Sequence, residues 1–129
     1  NHICGWYYGM YFRSSLELSF LVNNSDKNFE TCEKNKYRII YEKNNDKKIY
    51  YPDFTDGEFI YEIKPSKLLL YKDNDIKINK GFEIYGDKFK VITEIICPYI
   101  TKSKILELIS DGSVIMNEKS LEKLKKYNF

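Results

Sequence analysis

The chain has 129 residues, 43% hydrophobic and 31% charged, which is enough apolar material for one buried core and too much for a disordered chain. Its 21 Lys and Arg nearly balance 19 Asp and Glu, so a polyanion-binding surface has to come from local placement rather than bulk charge. The single histidine, His2, argues against a Ser-His-Asp triad, a two-histidine zinc site and a histidine-based nuclease centre.

The opening Asn1 to Met10, aromatic with two glycines, predicts an irregular or extended lead-in. A helix is expected over 14–24: Ser14 or Ser15 offers the N-cap hydroxyl, Glu17 sits in the first turn, and Leu16, Phe20 and Asn23 share one side. Turn-forming residues break it over 23–28. Three strands follow, over 37–42, 48–54 and 58–64, with turns at Asn44-Asn45-Asp46 and Thr55-Asp56-Gly57 and a stop at Pro65. Two tight turns in succession predict an antiparallel meander. A helix within 73–88, weakened by Gly81 and Gly86, leads to a fourth strand over 89–96. Helices over 102–110, ended by Gly112, and 117–127 close the chain. The order α-β-β-β-α-β-α-α with no internal repeat predicts one α/β domain over 1–129, its core over about 10–97 and a helical C-terminal segment over about 101–127.

Cys4, Cys32 and Cys97 are far apart and form no CxxC pair, which predicts reduced thiols in an intracellular protein, in the cytoplasm of a host cell or in a nucleus. His2 and Cys4 read as a frayed terminus rather than half of a metal site. No apolar run approaches the ~20 residues of a membrane span, and the start lacks a signal-peptide profile. It also lacks an initiating methionine, which predicts a processed chain or a piece of a longer one. Alanine and glutamine are absent while Asn, Ile, Lys and Tyr abound, a codon bias that weakens any inference from lysine number.

The chemistry concentrates in Tyr51-Pro52-Asp53 and Glu62-Ile63-Lys64. Side chains alternate along a strand, so Ile60, Glu62 and Lys64 share one face of the third strand, and the short turn lets Asp53 lie beside them. Oxygen ligands of this kind hold a hard cation such as Mg²⁺ or Mn²⁺. A lysine beside them positions a water or stabilises developing charge. Glu17, reaching in from the first helix, would complete the shell. The alternative is a solvated meander face on which these charges pair across strands for a few tenths of a kcal/mol each. Glu17 would then be a capping-box or exposed helix carboxylate.

Pro52-Asp53 followed by Glu62-x-Lys64 resembles the PD-(D/E)XK nuclease superfamily, whose pattern is a proline-aspartate and then an acidic-x-lysine on the next strand. Gly9-Met-Tyr-Phe-Arg-Ser-Ser-Leu-Glu17 is similar to the opening helix of its phage and mobile-element members, among them homing and junction-resolving endonucleases. The resemblance covers about residues 5–96. Asp-x-Lys also occurs at Asp46–Lys48 and Asp75–Lys77; only the triplet at Glu62 combines an apolar strand, a preceding Pro-Asp and a glutamate-bearing helix.

The resemblance implies a restriction-endonuclease-like core, a mixed sheet flanked by helices. It implies a metal-dependent DNA endonuclease, with Glu17, Asp53, Glu62 and the Ile63 carbonyl as ligands of Mg²⁺ or Mn²⁺ and Lys64 orienting or helping to deprotonate the attacking water. Arg13 and Ser15 would contact a phosphate, or Arg13 pair with a carboxylate. Lys34, Lys36 and Arg38 are further candidate DNA contacts, as are Lys119, Lys123, Lys125 and Lys126, which interleave with Glu118 and Glu122. Trp6, Tyr7, Tyr8 and Tyr11 could stack on bases, although 12 tyrosines make core lining the default. Double-strand cleavage would require a homodimer or sequential nicks. The other functional class the sequence supports is a nuclease-like fold serving as a non-catalytic nucleic-acid-binding or partner-docking module.

Overall fold

A computed structural model describes residues 2–126. In chain order the elements are β1 (Gly5–Tyr7), β2 (Met10–Phe12), α1 (Ser15–Asn23), β3 (Glu30–Thr31), β4 (Ile39–Lys43), β5 (Asp46–Tyr50), β6 (Phe54–Thr55), β7 (Ile60–Ile63), α2 (Asn74–Tyr85), β8 (Phe89–Ile92), α3 (Lys102–Ser110), β9 (Val114–Met116) and α4 (Glu118–Lys126), with 3₁₀ turns at Ser66–Leu68 and Gly86–Lys88. The chain is therefore mixed α/β. The residues fall into two compact units, Asn1–Ser25 with Cys97–Phe129, and Asp26–Ile96. Among the described residues no helix is long and apolar enough to cross a membrane.

In the first unit the expected lead-in is a hairpin. Tyr8 and Gly9 both take positive φ (46° and 80°), the two-residue turn whose twist matches the strands it joins. β1 is the centre of a three-stranded antiparallel sheet in the order β2-β1-β9. Gly5 admits no side chain, because a Cβ there would lie 2.5 Å from the Ile115 carbonyl oxygen. Helix α1 buries Leu16, Leu18, Phe20 and Leu21. Ser120 Oγ accepts from Cys4 N (3.0 Å) and Ser19 Oγ from Ile100 N (3.0 Å), tying the two ends of the chain together. Helix α3 matches its expected bounds. α4 spans Glu118–Lys126, and residue 127 of the expected helix lies outside the described residues.

Helix α1 starts on a variant of the capping box, in which the glutamate takes the N–H of the residue before the N-cap. Ser14 Oγ accepts from Glu17 N (3.1 Å), and Glu17 Oε2 accepts from Ser14 Oγ and Arg13 N (both 3.2 Å). Ser14→Ala is expected to cost about 1 kcal/mol in denaturant melts, whereas Glu17→Gln, which keeps an acceptor at this position, should leave stability nearly unchanged.

In the second unit the expected three-strand meander does not form. Pro52 has no N–H to donate, and the segment expected over 48–54 divides there into β5 and β6. β4 and β5 make their own ribbon, turned by Asn44 and Asn45 at positive φ (52° and 66°). The main sheet is mixed, in the order β3-β6-β7-β8. β6 and β7 are antiparallel; β7 and β8 are parallel, with α2 as the crossover. The fourth strand is shorter than expected: β8 ends at Ile92, and a turn with Ile96 N bonded to Thr93 O follows.

Gly81, which weakens the helical pattern, permits the packing of α2. A Cβ there would sit 2.5 Å from the Phe89 ring, so only glycine lets α2 lie on β8. The core beneath is Cys32, Ile39, Ile60 and Phe89, flanked by Tyr37, Tyr50, Ile78, Tyr85 and Val91. The Lys77 ammonium lies 4.7 Å from the Tyr50 ring centre, and Lys43 pairs with Asp73 (2.8 Å), so α2 also holds the β4–β5 ribbon.

Candidate metal centre

All four residues of β7 are buried, which is how a strand with neighbours on both edges and cover on both faces reads. Glu62 is 2% exposed, so the solvated-face alternative fails for it. Ile60, on the face shared with Glu62, packs into the apolar core. On the other face the Tyr61 hydroxyl donates to Asp56 Oδ2 (2.7 Å) and the ring packs edge-on to Phe29 (5.8 Å).

Asp53 is carried to this strand by a local irregularity. Phe54 is the register partner of Tyr61, yet Asp53 N also donates to the Tyr61 carbonyl (3.0 Å). Two residues facing one is the pattern of a β-bulge, a device that re-aims a side chain. The Asp53 carboxylate is turned onto β7, where Oδ2 accepts from Ile63 N at 2.7 Å. Asp53 thus grips the peptide joining Glu62 to Ile63. Its own carbonyl accepts from Cys32 N (3.4 Å).

Lys64 follows the end of β7 and continues the parallel ladder, its N–H donating to Ile92 O (2.9 Å). Just beyond, Glu94 clamps the chain with both oxygens, accepting from Ser66 N and Ser66 Oγ (2.6 Å each). These two bonds, the hydroxyl's first, hold the Glu94 carboxyl below its ordinary value. The strand end that presents Lys64 is therefore fastened on both sides of Pro65.

Cys32 is the neighbour that sequence reading missed. It has no exposed surface, and burial, reinforced by the negative charges of Asp53 and Glu62, pushes its thiol up to about 12. The thiol thus stays protonated beside both carboxylates. A lone cysteine before a loop carries no sequence signal for such a role; only the fold brings it to residues 53 and 62. No disulfide links the three thiols.

Linkage gives this a sign. The folded pKa of Cys32 lies above the ordinary value of 9.0, so its contribution to stability is full below about pH 9 and is lost as pH rises towards 12. Across that window wild-type denaturant midpoints are expected to fall more steeply than those of Cys32→Val. Parallel curves would contradict the placement.

The remaining expected site residues are spread through both units. Glu17 lies in the first unit, where its carboxylate serves the capping box. Ser15, expected at a phosphate, is 2% exposed and faces the interior in this conformation. Arg13 is exposed, with its guanidinium 5.5 Å from the Tyr11 ring centre. Lys34, Lys36 and Arg38 are exposed around the loop into β4, where the Arg38 carbonyl accepts from the Tyr85 hydroxyl (2.5 Å). A separate pocket of about 260 Å³, lined by Glu30, Asn35, Tyr37 and Asp56 among others, does not include Asp53, Glu62 or Lys64.

The donor set suits a hard cation. Carboxylate oxygens of Asp53 and Glu62 and the carbonyl of Ile63 are the ligand type Mg²⁺ and Mn²⁺ take, and Mg²⁺ commonly uses one or two protein carboxylates with water and substrate phosphate completing its shell. Among the described residues no group of three or more His, Cys, Asp and Glu side chains is arranged to hold an ion, and a two-carboxylate site does not call for one. No family model, curated protein or solved structure matches the chain.

Proposed function

We propose that the chain is a metal-dependent DNA endonuclease that hydrolyses phosphodiester bonds, with its centre on β7. The observation that carries this reading is the Asp53 carboxylate bonded to Ile63 N–H, directly after the buried Glu62 and one residue before Lys64. Asp53, Glu62 and the Ile63 carbonyl would hold Mg²⁺ or Mn²⁺. Such an ion supplies Lewis-acid polarisation of the phosphoryl oxygen and a more acidic bound water. The protein's own part is preorganisation: the bulge fixes Asp53, the paired strand fixes Glu62, and the Glu94–Ser66 clamp steadies the strand end from which Lys64 Nζ orients the attacking water or holds its proton. The mixed sheet with its parallel β7–α2–β8 passage accords with the restriction-endonuclease-like core implied by the sequence motif.

The test is conversion of supercoiled plasmid to open circles. Nicking with Mg²⁺ or Mn²⁺ and none in EDTA is the expected result. DNA binding without cleavage under either metal would favour a non-catalytic module instead. Glu17→Gln, which keeps the cap, reads the sequence-based role of Glu17 as a third ligand: nicking lost at unchanged stability assigns it to the metal, and nicking retained confines it to α1.

A further inference from the structure

The three-stranded sheet of the first unit has two unlike faces. Phe12, Val114 and Met116 point inward and are buried, beside the buried backbone of Gly5. On the outer face Trp6 has Tyr11 and Ile115 as its register partners on either side. Trp6 is 42% exposed and Ile115 64%. The Trp6 and Tyr11 rings lie 5.2 Å apart at 51°, and the exposed Arg13 places its guanidinium 5.5 Å from the Tyr11 ring centre. An indole and a phenol thus lie side by side across β1 and β2, with a guanidinium two residues further along the chain from the phenol.

We propose that this row binds single-stranded DNA, with bases stacking on Trp6 and Tyr11 and Arg13 taking a neighbouring phosphate. Rings alone would suit many partners; a cation built onto the end of the ring row selects a polyanion that carries its own rings. Every base has a π-face, so this grip is strong and tolerant of sequence. Trp6 and Tyr11 are one interstrand spacing apart, roughly 5 Å, and Arg13 lies two residues further along the chain from Tyr11, roughly 7 Å. A row this short matches two or three nucleotides, whereas a stable protein interface covers ~800 Å² per partner. The inference rests on the DNA-acting reading only for the identity of the ligand, and the binding it describes needs no metal.

Trp6 is the only tryptophan in the chain, so its fluorescence reports this face alone. Titration with a thymidine oligonucleotide in EDTA is expected to quench it saturably, with affinity falling as salt rises. Tyr11→Ala should weaken binding by about 5- to 150-fold, the range for loss of one stacked base, and Tyr11→Phe should restore it. Arg13→Gln should weaken binding and flatten its salt dependence. Absence of quenching, equal affinity for wild type and Tyr11→Ala, or equal loss of duplex binding in Tyr11→Ala would overturn the proposal. Nicking without quenching would sink this inference and leave the endonuclease reading standing; quenching in EDTA without nicking under Mg²⁺ would do the reverse.

Discussion

Asp53→Asn is expected to lower Mg²⁺-supported nicking by at least about a hundredfold while leaving the fold intact, and Lys64→Ala by about a hundred- to ten-thousandfold. Asparagine still offers an oxygen to Ile63 N–H, so the 2.7 Å bond that sets the bulge can persist. What is lost is one unit of negative charge where an ion would sit. A thousandfold loss corresponds to about 4 kcal/mol of transition-state stabilisation, far more than an exposed ion pair supplies. If Asp53 and Lys64 were only a structural pair of charges, both variants would nick like wild type. Single-turnover rates at saturating Mg²⁺, together with thermal melts of each variant, separate the two outcomes.

Phe89→Ala is expected to be the most damaging single change to the second unit. The ring is 1% exposed, meets Phe82 edge-on at 5.1 Å, and fills the space Gly81 leaves open on α2. Its strand partner is Ile60, two residues before Glu62. Truncating a buried phenylalanine costs about 3–5 kcal/mol, which in a domain of this size lowers the melting temperature by roughly 10–40 °C. That is a large share of the ~5–15 kcal/mol by which domains are stable. A melt within the error of wild type would contradict the packing of α2 on β8. Because β8 is the parallel neighbour that carries Glu62's strand, activity should fall with stability in this variant, whereas in Asp53→Asn it should fall without it.

Much of this was legible because local chemistry and tertiary packing agree. The Ser14 and Glu17 cap of α1 and the paired asparagines of the β4–β5 turn are short-range signals that the fold respects. The apolar residues around Glu62 read as a strand, and Glu62 lies buried on β7. The misses have physical causes. Pro52 reads as a mid-strand residue in a β-rich stretch, but its missing donor ends one ribbon and lets the next strand pair elsewhere. β1, β2 and β9 are three residues each, too short for a period to register, and Tyr8-Gly9 is a weaker turn signal than Asn-Gly. The placement of Cys32 beside Asp53 and Glu62 depends on β3 joining the sheet edge, a long-range event with no local pattern.

The most direct measurement of the central claim is the electron paramagnetic resonance of Mn²⁺ titrated into the protein. Wild type is expected to diminish the free-ion signal at a saturating site, Asp53→Ala and Glu62→Gln each to weaken that binding by at least about tenfold, and added Mg²⁺ to compete for it. Mn²⁺ left free by the wild type, or bound equally by all three proteins, would contradict a shared ion on β7.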